Sequence, residues 1–214
     1  MTTLKGLDAN IELTKYAGSL KKQGFDFAIR YYSHTASKNL SLGEAKALAK
    51  SGLQIGAVWE TAGTKASFFN HTQGVSDGSA AYHMAETSIG QPTDSAIYFA
   101  VDYDATHTDI DGPIKDYFTG VNAAFLAAGK VSPKYKIGVY GSGLTSTQLL
   151  QAKLVEFTWL TQSLGFSGSR DFAEKKLYNI IQLLPKDITI EQGININIDP
   201  DETNPNLPTG LFSL

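Results

Sequence analysis

A chain of 214 residues, 42% of them hydrophobic, can fold as one domain and bury about 70% of its unfolded surface. Its 18 basic and 21 acidic residues give a net charge of −3 with no basic run, which argues against a nucleic acid or an anionic membrane as partner. With no cysteine, disulfides and thiolate chemistry are excluded, and His34, His71, His83 and His107 are too scattered for a metal cage, so neither metal nor cofactor is expected.

Taken in order, the chain alternates strand-like and helix-like segments. Leu4–Asp8 is a short strand ending in an acid, and Ile11–Gln23 forms a first helix closed by Gly24. FDFAIRYY (Phe25–Tyr32) is a second strand, followed by the turn-rich SHTASKN. Ser41 caps the next helix, with Glu44 completing a capping box and Gly52 ending it. LQIGAVWE (Leu53–Glu60) is a third strand that again terminates in an acid. The stretch Thr61–Gly78 reads as a long loop whose Phe68 and Phe69 form either a lid or, more plainly, a buried satellite cluster. An amphipathic helix over Asp77–Ile89 stops at Gly90–Gln91–Pro92.

The fourth strand, SAIYFAVDYD (Ser95–Asp104), is the centre of the pattern. It is an apolar run of the kind buried on both faces, and it ends in two carboxylates. Strand alternation puts Ile97, Phe99, Val101 and Tyr103 on one face and Tyr98, Ala100, Asp102 and Asp104 on the other. The Cα atoms of the two acids would then lie about 6.6 Å apart. Stacked acids at the end of a buried strand oppose stability through desolvation and repulsion, so a chemical use is the better account. Beyond it come a long helix at Ile110–Ala128, a strand at Lys136–Gly141 (KIGVYG), and a helix at Leu144–Lys153. A sixth strand at Phe157–Gln162, a weak helix at Arg170–Lys176, a seventh strand at Leu177–Leu184 and an eighth at Ile194–Asp199 complete the chain.

Eight strand signals alternating with helices predict an α/β protein with a parallel sheet closed as a (β/α)8 TIM-type barrel. The whole chain, 1–214, is expected to be that single compact domain, and its length calls for short or partly missing helices. Active sites of such barrels lie at the C-terminal ends of the strands. There the pattern collects Asp8, Glu60, Asp102, Asp104 and Asp199, together with Arg30, Tyr32, Tyr140, Gln162 and Gln182. All five acids are expected to converge on one mouth.

GLDAN at the start, IYFAVDYD, IGVYGSG and NINIDPD resemble, in order and spacing, the strand motifs of the family 25 glycoside hydrolases, lysozyme-type muramidases with a (β/α) barrel. The chain is still more similar to a sister group, the glycoside-hydrolase-like domains of unknown function. In that group a Gly- and Ala-rich helix leads through a Gly-x-Pro turn into IYFAVD, as over 78–102 here. The resemblance implies that Asp8, Asp102, Asp104 and Asp199 are the site acids. It also shows a departure, because Asp104 stands where the muramidases carry Glu. The implied activity is hydrolysis of peptidoglycan or a similar N-acetylated polysaccharide.

Glycoside hydrolysis needs one carboxyl that keeps its proton and another that stays charged. On this reading Asp104 is the proton donor, Asp102 the orienting carboxylate, and Asp8 and Asp199 supporting acids. Glu60 is the reserve acid, its alternative being a strand-end pair with Arg30. Sugar rings stack on aromatic faces and their hydroxyls take polar partners, which nominates Arg30, Tyr32, Trp59, Tyr140, Trp159 and Gln182 as substrate contacts.

Two rivals stand beside the glycosidase. One is a non-catalytic carbohydrate-binding barrel, suggested by the shortened Asp104. The other is a Mg²⁺-dependent phosphatase using Asp102 and Asp104, because DYDAT resembles the first motif of the haloacid-dehalogenase-like phosphatases. MTTLKGLDAN has no apolar signal core and no apolar stretch reaches about 18 residues, so a soluble chain without a signal peptide is expected, with its oligomeric state open and a monomer favoured. Action on a cell wall would then need a signal-independent or phage-type release route.

Overall fold

The computed structural model describes residues 2–129, 131–190 and 193–214. Seven strands run parallel and in chain order: β1 (Lys5–Asp8), β2 (Phe27–Tyr32), β3 (Gln54–Trp59), β4 (Ala96–Ala100), β5 (Lys136–Gly141), β6 (Phe157–Leu160) and β7 (Ile180–Gln182). Two more follow, β8 (Lys186–Ile190) and β9 (Ile194–Thr203). β9 pairs with both β7 and β1, which closes an eight-stranded barrel.

The closing strand departs from the all-parallel expectation. β9 is antiparallel to both neighbours, and its first half pairs with β8 in a hairpin that stands outside the barrel. A parallel return needs a crossover of a dozen or more residues, usually helical. Here Lys186–Ile190 form another strand instead, one that the sequence pattern does not announce.

Helices cover the outer wall: α1 (Ala17–Lys22), α2 (Leu42–Lys50), α3 (His71–His83), α4 (His107–Asp109), α5 (Lys115–Gly129), α6 (Gly143–Gln151) and α7 (Ser169–Glu174). They are short or partly missing, as the chain length requires. α1 is well under the span its pattern suggests, whereas α3 starts earlier, capped by Asn70, whose Oδ1 accepts the Gln73 N–H at 2.9 Å. Half of the supposed loop 61–78 is therefore helical. Phe69 is buried against Tyr117 and Tyr103, with ring centroids 5.1 and 6.3 Å away, so it belongs to the core rather than to a lid. Among the described residues no helix is long and apolar enough to cross a membrane.

Strand alternation divides the core into two layers. Leu7, Ala28, Ile55, Ile97, Phe99 and Val139 face outward under the helices. Phe27, Ile29, Val58, Tyr98, Phe157, Trp159 and Ile180 fill the barrel. The large rings fit because glycine sits beside them: a Cβ on Gly6 would come 2.3 Å from the Phe27 ring, and one on Gly138 2.5 Å from that of Tyr98. The apolar plug fills the lower barrel and leaves polar side chains at the strand ends above it.

Candidate active site

Four carboxylates reach the mouth from four strands. Asp8 ends β1, Glu60 follows β3, and Asp102 lies just beyond β4. Asp199 stands directly opposite Asp8 in the antiparallel β1–β9 pair, so both side chains point to the same face. The reversed strand thus delivers its acid to the mouth from its N-terminal side. All four line a cleft of about 250 Å³ with Tyr31, Tyr140, Trp159, Thr161, Gln162, Ser163 and Gln182.

Asp8 is the best-anchored of them. It is buried, and it accepts hydrogen bonds from the Tyr31 hydroxyl at 2.9 Å and from Gln182 Nε2 at 2.7 Å. The Tyr140 hydroxyl donates to Gln182 Oε1 at 2.8 Å and lies 3.2 Å from the Thr161 hydroxyl. Four strands are thereby linked in one polar chain across the floor of the cleft. Burial is the main reason that the Asp8 pKa is raised to about 7. The Gln182 and Tyr31 hydrogen bonds oppose the rise, while the charges of Asp199 and Glu60 add to it. Partial desolvation lifts the half-buried Asp199 above the usual carboxylate range, and does the same for Asp102, whose side chain stays open to solvent. Glu60 differs in having a cation, Lys38 Nζ, 3.3 Å away.

Several expected residues lie elsewhere, each for a local reason. β4 ends at Ala100, the Asp102 N–H binds the Gly63 carbonyl at 2.9 Å, and the Ala105 N–H turns back onto the Tyr103 carbonyl at 2.9 Å. The alternation that would align Asp104 with Asp102 is therefore broken. Asp104 is exposed and accepts the Ser167 backbone N–H at 2.7 Å, outside the cleft. Asp102 and Asp104 do not share a pocket, so the paired acids that the phosphatase motif needs are not assembled.

On β2 the inward residues are Phe27, Ile29 and Tyr31, which leaves Arg30 and Tyr32 on the outer face. Arg30 is buried against Glu44 of α2, with Nε 2.6 Å from Oε1. This salt bridge replaces both the reciprocal half of the capping box and the expected Arg30–Glu60 pair. The Ser41 half of the box forms, its Oγ accepting the Glu44 N–H at 3.1 Å. Tyr32 donates to Gln91 Oε1 at 2.9 Å beneath the helices. Trp59 also faces outward, edge-on to His34 with centroids 5.0 Å apart. By contrast Tyr140, Trp159 and Gln182 line the cleft.

Four residues of the site escaped sequence reasoning: Thr161 and Ser163, which follow β6 with nothing in the pattern to mark them, and Tyr31 and Asp201. Tyr31 was readable from the phase of Phe27 and Ile29. Asp201 was readable as the same-face partner of Asp199 two residues on; it is buried below the cleft and accepts the Trp159 indole N–H at 2.8 Å. Among the described residues, no three His, Asp or Glu side chains are grouped to hold a metal ion.

The model of the family described as the Rv2525c-like, glycoside hydrolase-like domain matches residues 18–202. The protein FadG of Bacillus subtilis (strain 168) is 34% identical over 158 residues, covering 72% of this chain and 27% of FadG. YbfG of the same organism is 29% identical over 203 residues, covering 90% of this chain and 28% of YbfG. The chain thus spans little more than a quarter of the length of these curated relatives. Among solved structures, the Mycobacterium tuberculosis Tat-secreted protein Rv2525c, in complex with L-tartrate, superposes with a TM-score of 0.75 at 18% identity over 98% of both chains. The catalytic domain of endolysin ply40 from bacteriophage P40 of Listeria monocytogenes gives 0.58 at 16% identity, over 96% of this chain and 95% of that one. A muramidase from Trichobolus zukalii gives 0.54 at 15%, over 94% and 93%. At these identities the likeness speaks for the fold.

Proposed function

The chain belongs to the Rv2525c-like, glycoside hydrolase-like family, and from that premise we propose that its barrel mouth binds an N-acetylated polysaccharide of the cell-wall type and hydrolyses it by carboxylate acid catalysis. The observation that carries this reading is the contrast between Asp102 and Glu60 across one cleft. Asp102 has no ion-pair partner among the described residues and, although its side chain is open to solvent, partial desolvation at the strand end raises its proton affinity, as a donor requires. Glu60 is paired with Lys38 and supplies the negative charge that an oxocarbenium-like centre needs. An acid without a cation facing one that is paired with lysine offers a proton donor and a counter-charge. Asp8 and Asp199 bind sugar hydroxyls from the floor, and Tyr140 and Trp159 offer ring faces. The proton-donor role thus passes from Asp104 to Asp102.

The test is release of reducing ends from peptidoglycan and from chitin fragments across acid to neutral pH. Asp102→Asn should cut the rate by about 10²–10⁴ while sugar binding persists. Asp104→Asn should leave it unchanged. The engagement of Asp104 with the Ser167 amide, where the muramidases carry Glu, favours a second reading, a barrel that binds glycan without turnover. Binding by the wild type with no hydrolysis of either polymer would select it.

A further inference from the structure

Asp201 lies one pleat below the cleft on the inward face of β9, opposite Gly6 of β1 and Gln182 of β7. It is 1% exposed. Oδ1 accepts the Trp159 indole N–H at 2.8 Å, and Oδ2 has no partner among the described residues. The titratable groups facing it are Asp8 from β1, Asp199 from its own strand, Tyr98 from β4 and Tyr140 from β5. None is a cation. An ionised carboxylate there would keep a bare oxygen out of water beside another acid, and taking up a proton is how such a group avoids that cost.

We infer that Asp201 is a positioning residue of the proposed glycan site: it stands as the neutral carboxylic acid, anchors the Trp159 indole, and leaves the charge on the cleft floor to Asp8. The inference rests on the glycan reading only in taking Trp159 as a ring that contacts sugar. The anchor matters because Trp159 lines the cleft, packed at a tilt of 59° against Tyr140 with centroids 4.5 Å apart. Burial, then the charge of Asp8, holds the Asp201 pKa well above the ordinary range, which agrees with the geometry.

Infrared spectra of the full chain, taken above the Asp8 midpoint of about 7, test the protonation state. The wild type should show the carbonyl stretch of a protonated carboxylic acid, Asp8→Asn should keep it, and Asp201→Asn should lose it. A wild-type spectrum without the band, or a band that survives in Asp201→Asn, overturns the inference.

The positioning role is read by titrating an N-acetylglucosamine oligosaccharide against tryptophan fluorescence. Asp201→Asn keeps the indole's acceptor and adds no charge, so affinity and its pH midpoint should match the wild type. A midpoint that falls in this variant means that Asp201 was charged and contradicts the inference. Asp201→Leu removes the acceptor and should weaken binding up to about tenfold, the worth of one buried hydrogen bond. Should it not fold, Trp159→Phe deletes the indole N–H and, read by calorimetry because the reporting ring is gone, should weaken binding comparably; unchanged affinity overturns the positioning role. Glycan binding without the infrared band sinks this inference alone. No glycan binding by the wild type, with the band present, sinks the glycan reading and the positioning role with it.

Discussion

Two buried polar clusters sit on opposite faces of the wall that β1, β2 and β9 share, and they are built on opposite terms. On the outer face Arg30 and Glu44 are both fully buried, with Nε–Oε1 at 2.6 Å and Nη2–Oε2 at 3.3 Å. Glu44 also accepts the Leu13 N–H at 2.8 Å, and Arg30 donates to the Ala9 and Lys38 carbonyls. Each charge meets its opposite. On the inner face Asp8 and Asp201 have, among the described residues, only neutral donors, a tyrosine, a glutamine and an indole. Burial of charge therefore does not by itself mark a working site; burial without compensation does. The outer pair fastens α2 and the loop after Asp8 to the barrel, while the inner pair sets acids without a cation under the mouth.

The comparison breaks most visibly when one outer partner is removed. Glu44→Gln leaves a buried guanidinium without its counter-charge and should cost about 3–5 kcal/mol, read from the urea midpoint at constant slope. The inner cluster should answer to pH instead. The Asp8 pKa is raised by folding from 3.8 to about 7, so its contribution is fully present below the lower value and is lost as pH rises through the upper one. Stability should accordingly fall by a few kcal/mol between mildly acidic and mildly alkaline pH. Asp8→Asn should remove the share of that slope that ends near pH 7, leaving the share of Asp201, and should exceed the wild type in stability on the alkaline side.

Smaller effects sharpen the contrast. Tyr31→Phe removes one of the two donors that favour charged Asp8, costing about 1 kcal/mol and moving the Asp8 midpoint further up in a carboxyl NMR titration. Asp104→Ala, on the exposed loop, should change the melting temperature least, with a stability effect within about 0.5 kcal/mol.

The parallel half of the barrel was legible because its strands are apolar runs stopped by acids, and a run such as IYFAVD has few other places to go. Asp8, Glu60 and Asp102 were found by that rule, and Asp199 by the acid in NINIDPD. The rule fails where a strand stops before its sequence pattern does. Beyond Ala100 the backbone turns, and a two-residue period no longer says where Asp104 points. It also fails on faces. FDFAIRYY is apolar on both sides, so alternation puts Tyr31 with Phe27 and Ile29 but does not say which set looks in; the partners supplied by α2 and the helix layer show that Arg30 and Tyr32 look outward. The β8–β9 hairpin was hidden for a different reason. KDITI and ININI alternate polar and apolar residues, as a one-sided strand does, and carry no sign of which neighbour they pair with.

The most direct measurement is the titration of the Asp8 side-chain carboxyl by carbon NMR in the intact chain. An acid buried with neutral donors and two acidic neighbours should titrate near 7. A midpoint near the ordinary 3.8 would mean that water or an unrecognised cation compensates Asp8. The inner and outer clusters would then be alike, and the mouth would lose its claim to be a proton-holding site.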